Sequence, residues 1–215
     1  DNNVIVSPAD STVAGWWQIG NDVDSNIYVQ GAKNGIVESK GIQWSIRELL
    51  KDSVYADRFK GGIFCHMFLN SIDYHRWHTP VQGKVVEARV IQGQCYLDVN
   101  VAQTRLPDDT VVNILNALDG TGYQFVQTRG LIVIDSPIGL VACLPMGMAQ
   151  VSSVVITAEE GVTLQKGEEL GYFQFGGSDW VIVFERASNV QLIAQPNVHY
   201  NQGTWIGNAY PYSIR

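Results

Sequence analysis

The sequence is short of cysteine, of positive charge and of long apolar runs, and each shortage excludes a class of protein. Its three cysteines, Cys65, Cys95 and Cys143, are odd in number and widely spaced, so they make neither a CxxC metal knuckle nor a paired disulfide framework. Each lies among apolar residues, where free cysteine behaves as a small buried hydrophobe, and this favours a reducing compartment. Lys and Arg number 14 against 21 Asp and Glu, a net charge of −7. That balance argues against a nucleic-acid surface, which needs clustered cations. The lysines (Lys33, Lys40, Lys51, Lys60, Lys84, Lys166) are scattered, so no polybasic membrane patch forms. No apolar run is as long as a membrane span and no signal peptide is legible. A soluble intracellular protein is expected, cytoplasmic or otherwise, with membrane association disfavoured.

What is present suits one compact domain over residues 1–215, since 46% of them are hydrophobic and 16% charged. Strand-like segments recur: "NVIVS", "WWQIG", "NIYVQG", "GIFCHMFL", "GKVVEARVIQGQCYLDV" and "GLIVIDSPIGLVACLPMGMAQVSSVVIT". Gly, Asn, Asp and Pro punctuate them. "SIRELLKD" reads as a helix with Ser45 as N-cap and Glu48 three residues on, and "DTVVNILNAL" offers a second. The expected fold class is mostly β with few helices (α+β), a compact multi-stranded sheet or barrel.

Three stretches carry candidate chemistry. In "GYFQFGGSDWVIVFE", Gly171 to Glu185, a Gly-Gly-Ser interrupts β-branched and aromatic residues. Ser178 reads first as a turn serine. A nucleophile elbow fails, because Trp180 stands where G-x-S-x-G needs glycine. The third reading makes the Gly177–Ser178 bond itself the target. The serine hydroxyl attacks the preceding carbonyl, the amide becomes an ester, and β-elimination then hydrolysis leaves a pyruvoyl group and ammonia; paired glycines permit the crowded geometry. The second stretch, "LNSIDYHRWHTP", holds His75 and His78, weak as a metal site because no third and fourth ligands follow. His66 and His199 have no such company and read as structural. The third, "VIVSPADS", ends at Asp10 and Ser11 and reads alone as a turn with a solvated carboxylate.

Together these stretches resemble the phosphatidylserine decarboxylase family, whose members make a pyruvoyl cofactor by self-cleavage. The resemblance runs from "SPADS" through "KGIQWSIRELL" and "FLNSIDYHRWHTPVQGKV" to "VSSV" and "KGEELGYFQFGGS". It implies a self-cleaving triad of Asp10, His78 and Ser178, with His78 taking the serine proton and Asp10 orienting its ring. It implies His75 as the histidine of the decarboxylation itself, and cleavage into a β chain of 1–177 and an α chain of 178–215. The implied enzyme is a carboxy-lyase made as a proenzyme. Its covalent pyruvoyl, derived from Ser178, would form a Schiff base with the substrate amine and act as electron sink. His75 would then return a proton, with no pyridoxal phosphate and no metal.

Two departures from the family wording stand out. Ser11 replaces a glycine after "PAD", and Asp179 replaces a threonine after the cleavage serine. Asp179 either repels the oxyanion of ester formation or binds a cationic substrate group. The family's lipid-acting members carry a membrane-seeking front segment that this sequence lacks. "YHRWH", with Trp77 between the histidines, is similar to the wording of soluble relatives that decarboxylate free amino acids, tryptophan among them. The favoured substrate is therefore a free L-amino acid, aromatic ones foremost, with Trp77 and Asp179 as pocket residues. Phosphatidylserine is the alternative, and a non-cleaving binding or scaffold protein is the third. A homo-oligomeric assembly stays open.

Overall fold

A computed structural model of the chain describes residues 1–21, 26–29, 32–33, 36–37, 42–70, 72–93, 99–105, 109, 111–117, 127–147, 153–174 and 178–212. Its centre is an eight-stranded antiparallel sheet. The order is β15 (Thr163–Leu164), β9 (Gly83–Ile91), β12 (Arg129–Ser136), β13 (Gly139–Gly147), β17 (Ser178–Phe184), β7 (Ile63–Leu69), β2 (Ser11–Gln18) and β19 (His199–Tyr200), numbered along the chain. The middle strands are buried on both faces, which is why "LVACLPM" and "WVIVF" are continuously apolar instead of alternating.

One face carries Cys65, Met67, Ile132, Ile134, Val141, Cys143, Trp180 and Ile182. Two small sheets cover it: β1 (Val4–Val6), β20 (Trp205–Ala209) and β18 (Val190–Leu192), and β14 (Val154–Ile156), β16 (Glu169–Phe173) and β8 (Arg76–His78). The other face carries Phe64, Leu131, Val133, Leu144, Met146, Val181 and Val183. It packs against α1 (Ile46–Leu49) and the following turn through Ile46, Leu49, Leu50 and Phe59. The Ser45 hydroxyl accepts from the Glu48 N–H at 3.3 Å, so the expected N-cap forms. The described residues also form three two-stranded ribbons: β3 (Asn26–Val29) with β6 (Ile42–Ser45), β4 (Ala32–Lys33) with β5 (Ile36–Val37), and β10 (Val99–Arg105) with β11 (Val111–Ala117).

Two expectations change. The main sheet is open, ending on the two-residue strands β15 and β19, so the barrel alternative gives way to a layered sheet. The second helix offered by "DTVVNILNAL" is β11, paired residue for residue with β10 from Val99↔Ala117 to Arg105↔Val111. Its valines and isoleucine are β-branched and suit a ladder better than a helix. Among the described residues no helix is long and apolar enough to cross a membrane.

The Gly-Gly-Ser stretch is explained by topology. Tyr172 and Phe173 belong to β16 in a covering sheet, whereas Ser178 opens β17 in the main sheet. The chain leaves one layer after Gln174 and enters the other at Ser178. Gly176, Gly177 and the Ser178 side chain lie outside the described residues, as does Cys95.

Candidate active site

The histidine segment is held from three sides. β8 pairs with β16, with His78 opposite Glu169 and Trp77 opposite Gly171. The "SPADS" loop docks on it through the His78 N–H, which donates to the Pro8 carbonyl at 2.8 Å. A turn precedes it, in which Asp73 N–H donates to the Asn70 carbonyl at 3.0 Å and the Asp73 carboxylate accepts from Asn70 N–H at 2.8 Å. Asp73 also pairs with His199 Nε2 at 3.3 Å, tying the turn to β19.

Within this frame the two imidazoles have opposite polarity. His75 Nε2 lies 2.8 Å from the Asn70 carbonyl. A carbonyl only accepts, so Nε2 carries the hydrogen and Nδ1 holds the lone pair of the neutral ring. That Nδ1 is buried and has no partner among the described residues. His78 is the reverse. Its Nδ1 donates to the Gly167 carbonyl at 2.9 Å, which leaves Nε2 as the base nitrogen, 3.4 Å from the Tyr74 hydroxyl. The Tyr74 ring stacks on the His78 ring, with centroids 5.9 Å apart.

His75 sits between the two ends of the segment that contains Gly177–Ser178. Its carbonyl accepts from Phe173 N–H at 3.0 Å, and its ring meets the Phe173 ring edge-on at 6.3 Å. On the far side it is bonded to Asn70, which follows Leu69, the β7 residue in register with Ser178. A cleft of about 440 Å³ opens here, lined by Tyr74, His75, Arg76, Tyr172, Phe173 and Gln174. At its mouth Arg76 makes a two-pronged contact with Glu169, at 2.7 and 2.6 Å, and its guanidinium lies over the Tyr172 ring at 5.0 Å. Glu169 pushes the Arg76 pKa above the usual arginine value.

The remaining sequence-derived residues fall as follows. Asp10 is half-buried and its carboxylate accepts from Gln202 N–H at 2.7 Å. No hydrogen bond joins Asp10 to His78 among the described residues; the Gly167 carbonyl fixes the His78 tautomer. Ser11 is buried and its hydroxyl donates to the Ala9 carbonyl at 3.2 Å. Trp77 and Trp180 are fully buried and their rings meet at 5.3 Å, with Phe173 against Trp77 at 5.6 Å. They form the floor beneath the cleft and belong to the core. Gly171 makes that packing possible, because a Cβ there would overlap both the Trp77 ring and the Val155 carbonyl. Asp179 is fully buried and its carboxylate lies 3.3 Å from Nε2 of buried His66.

His66 and His199 each have a carboxylate partner, Asp179 and Asp73. Sequence reasoning also missed Tyr74, Asp73 and Gly167. The first two stand in the same "DYHRWH" block as the histidines and were available to it. The His66–Asp179 and His199–Asp73 contacts join residues far apart in sequence and leave no local signal. Among the described residues no group of three or more His, Cys, Asp and Glu is placed to hold a metal ion.

Comparison with known proteins gives the same outline. A family model described as "Phosphatidylserine decarboxylase" matches residues 1–208. "Decarboxylase iboD" of Amanita muscaria is 35% identical over 155 residues, 67% of this chain and 44% of that protein. "Phosphatidylserine decarboxylase proenzyme 3" of Schizosaccharomyces pombe is 35% identical over 184 residues, 85% of this chain and 16% of its own length. "L-tryptophan decarboxylase" of Psilocybe cubensis is 26% identical over 158 residues, 72% of this chain and 36% of its own length. The chain thus spans about half or less of the length of each of these relatives. With a family match over residues 1–208, which takes in the histidine segment and the Gly-Gly-Ser stretch, the chain belongs to the phosphatidylserine decarboxylase family.

Proposed function

We propose that the chain is a self-cleaving decarboxylase domain that splits between Gly177 and Ser178 and acts on a free L-amino acid, aromatic ones foremost. One observation carries the reading: the buried Nδ1 of His75, which has no partner among the described residues, on a ring held between Phe173 and Asn70. A polar atom buried without a partner is costly, and an active site is where that cost has a use.

In self-cleavage, His78 Nε2 is the base that receives the Ser178 proton as the hydroxyl attacks the Gly177 carbonyl. Gly167 holds the opposite nitrogen, as the third member of a triad does, and Tyr74 covers the ring. Asp10 contributes its negative charge from the loop that docks on His78, and braces that loop against Gln202. The residues present fit a pyruvoyl group made from Ser178, since His75 is bonded to Asn70, next to the Leu69 that stands in register with Ser178, and its buried Nδ1 has no partner among the described residues. That group supplies a carbonyl that takes up an amine and draws electrons from the bond to a carboxylate. His75, protonated on Nδ1, then gives the α-carbon the proton that replaces CO₂.

The cleft favours a free aromatic amino acid. Its walls are Tyr74, Tyr172 and Phe173, in place of the Trp77 wall expected from sequence, and they suit a flat apolar side chain. Arg76, its cation, is already neutralised by Glu169, so an anionic headgroup gains little there. Net charge −7 further opposes docking on anionic lipid. The phosphatidylserine reading is supported by the names of the family and of the fission-yeast relative. Split protein should release CO₂ from one or more free L-amino acids without liposomes or detergent. Release from phosphatidylserine vesicles, with none from a full panel of amino acids, would overturn the substrate and leave the cleavage standing.

A further inference from the structure

Asp179 immediately follows the serine at the cleavage site and pairs with His66, and neither residue has a part in the chemistry above. Asp179 faces Phe68 on β7 and Met146 on β13, while His66 lies two residues along β7, opposite Val181. The contact is thus a diagonal between neighbouring strands, a separation that a carboxylate and an imidazole can bridge. Most of that face is apolar, with Phe64, Leu144, Met146, Val181 and Val183 all buried, and buried Arg129 lies on it as well, opposite Met146. Burial makes each polar group costly, and the contact between the two offsets part of that cost.

We propose that this pair anchors the start of β17 once the bond before Ser178 is broken, which makes His66 and Asp179 positioning residues for the group formed at residue 178. The inference rests on the self-cleavage reading. Cleavage turns an internal strand residue into a chain end, and chain ends fray unless something ties them down. A slip of one residue would turn Asp179 onto the face of Trp180 and Ile182, among apolar side chains. A slip of two would carry it out of reach of His66. Only the native register keeps the pair, so the pair specifies it. The peptide joining residues 178 and 179 sets the plane of the carbonyl next to the cofactor group, and orientation errors there are amplified in rate. The pair lies on the face opposite Trp180, away from the aromatic floor of the cleft, so it acts through the strand and not on substrate.

The test compares the parent protein with His66→Leu, which removes the polar partner, and with His66→Gln and Asp179→Asn, which keep a hydrogen-bonding group in its place. Intact mass reports chain cleavage, amide hydrogen exchange reports protection of residues 178–182, and steady-state kinetics report kcat and KM. His66→Leu should exchange these amides roughly tenfold faster and lose on the order of tenfold in kcat at nearly parental KM, with both effects largely restored in the Gln and Asn variants. Should His66→Leu not fold, His66→Asn, polar but too short to reach Asp179, is read in its place. Parental exchange and kcat in His66→Leu, or equal damage in the conservative variants, would overturn the anchor and leave the self-cleavage reading intact. A parent chain that never splits would overturn both.

Discussion

At the scale of single residues, the two histidines of the "DYHRWH" block differ in which ring nitrogen the backbone holds. The Asn70 carbonyl takes Nε2 of His75 and the Gly167 carbonyl takes Nδ1 of His78, so the nitrogens the backbone leaves open are Nδ1 of His75 and Nε2 of His78, the latter 3.4 Å from the Tyr74 hydroxyl. This separates their roles without reference to sequence order. His75→Ala should still split its chain while CO₂ release falls by a factor on the order of 10²–10⁴, the usual contribution of a positioned proton donor. Intact mass and CO₂ release on the same sample check this, and normal turnover by split His75→Ala would move the donor elsewhere. Burial also fixes the cysteines. It pushes the Cys65 thiol up to about 12 and raises that of Cys143 as well, so both stay protonated near neutral pH. Peptide mapping after alkylation should find both unmodified in folded protein and modified after denaturation. Labelling of either in the folded state would contradict their placement in the core.

At the scale of elements, β8 is three residues long yet carries both the site and part of the core. Its central Trp77 points into the aromatic cluster with Trp180 and Phe173, while Arg76 lines the cleft and the His78 ring stacks on Tyr74. Trp77→Ala should cost about 3–5 kcal/mol in stability, as large-to-small changes of buried aromatics do. Urea denaturation measures it, and a cost below about 1 kcal/mol would mean that the ring is not core. The elements themselves were unevenly legible. "SIRELL" and the long apolar strands stood out, because an N-cap and β-branched runs are local signals. The "VVNILNA" strand was ambiguous, since a seven-residue apolar segment suits either period until its partner β10 is known. The Gly-Gly-Ser puzzle could not be solved locally either. Whether glycines mark a bulge or a passage between sheets depends on pairings with β7, β13 and β8, all distant in sequence.

At the scale of the whole molecule, one open sheet brings the separate motifs together. β17 lies between β7 and β13, so Ser178 stands beside the end of β7 from which the chain turns into the histidine segment. The "SPADS" loop reaches the same place because β2 is the next strand over. Only the family resemblance of their motifs implied that Asp10, His75, His78 and Ser178 work together. How they are held depends on the Asn70–Asp73 turn, Gly167 and His199, which come from three different parts of the fold. The central claim is that this arrangement breaks its own backbone. Mass spectrometry of the purified chain under denaturing conditions, beside Ser178→Ala, tests it most directly. The account predicts two pieces from the parent, one ending at Gly177 and the other beginning with a pyruvoyl group at position 178, and one uncut chain from Ser178→Ala. An uncut parent chain, or cleavage at the same bond in Ser178→Ala, would contradict it.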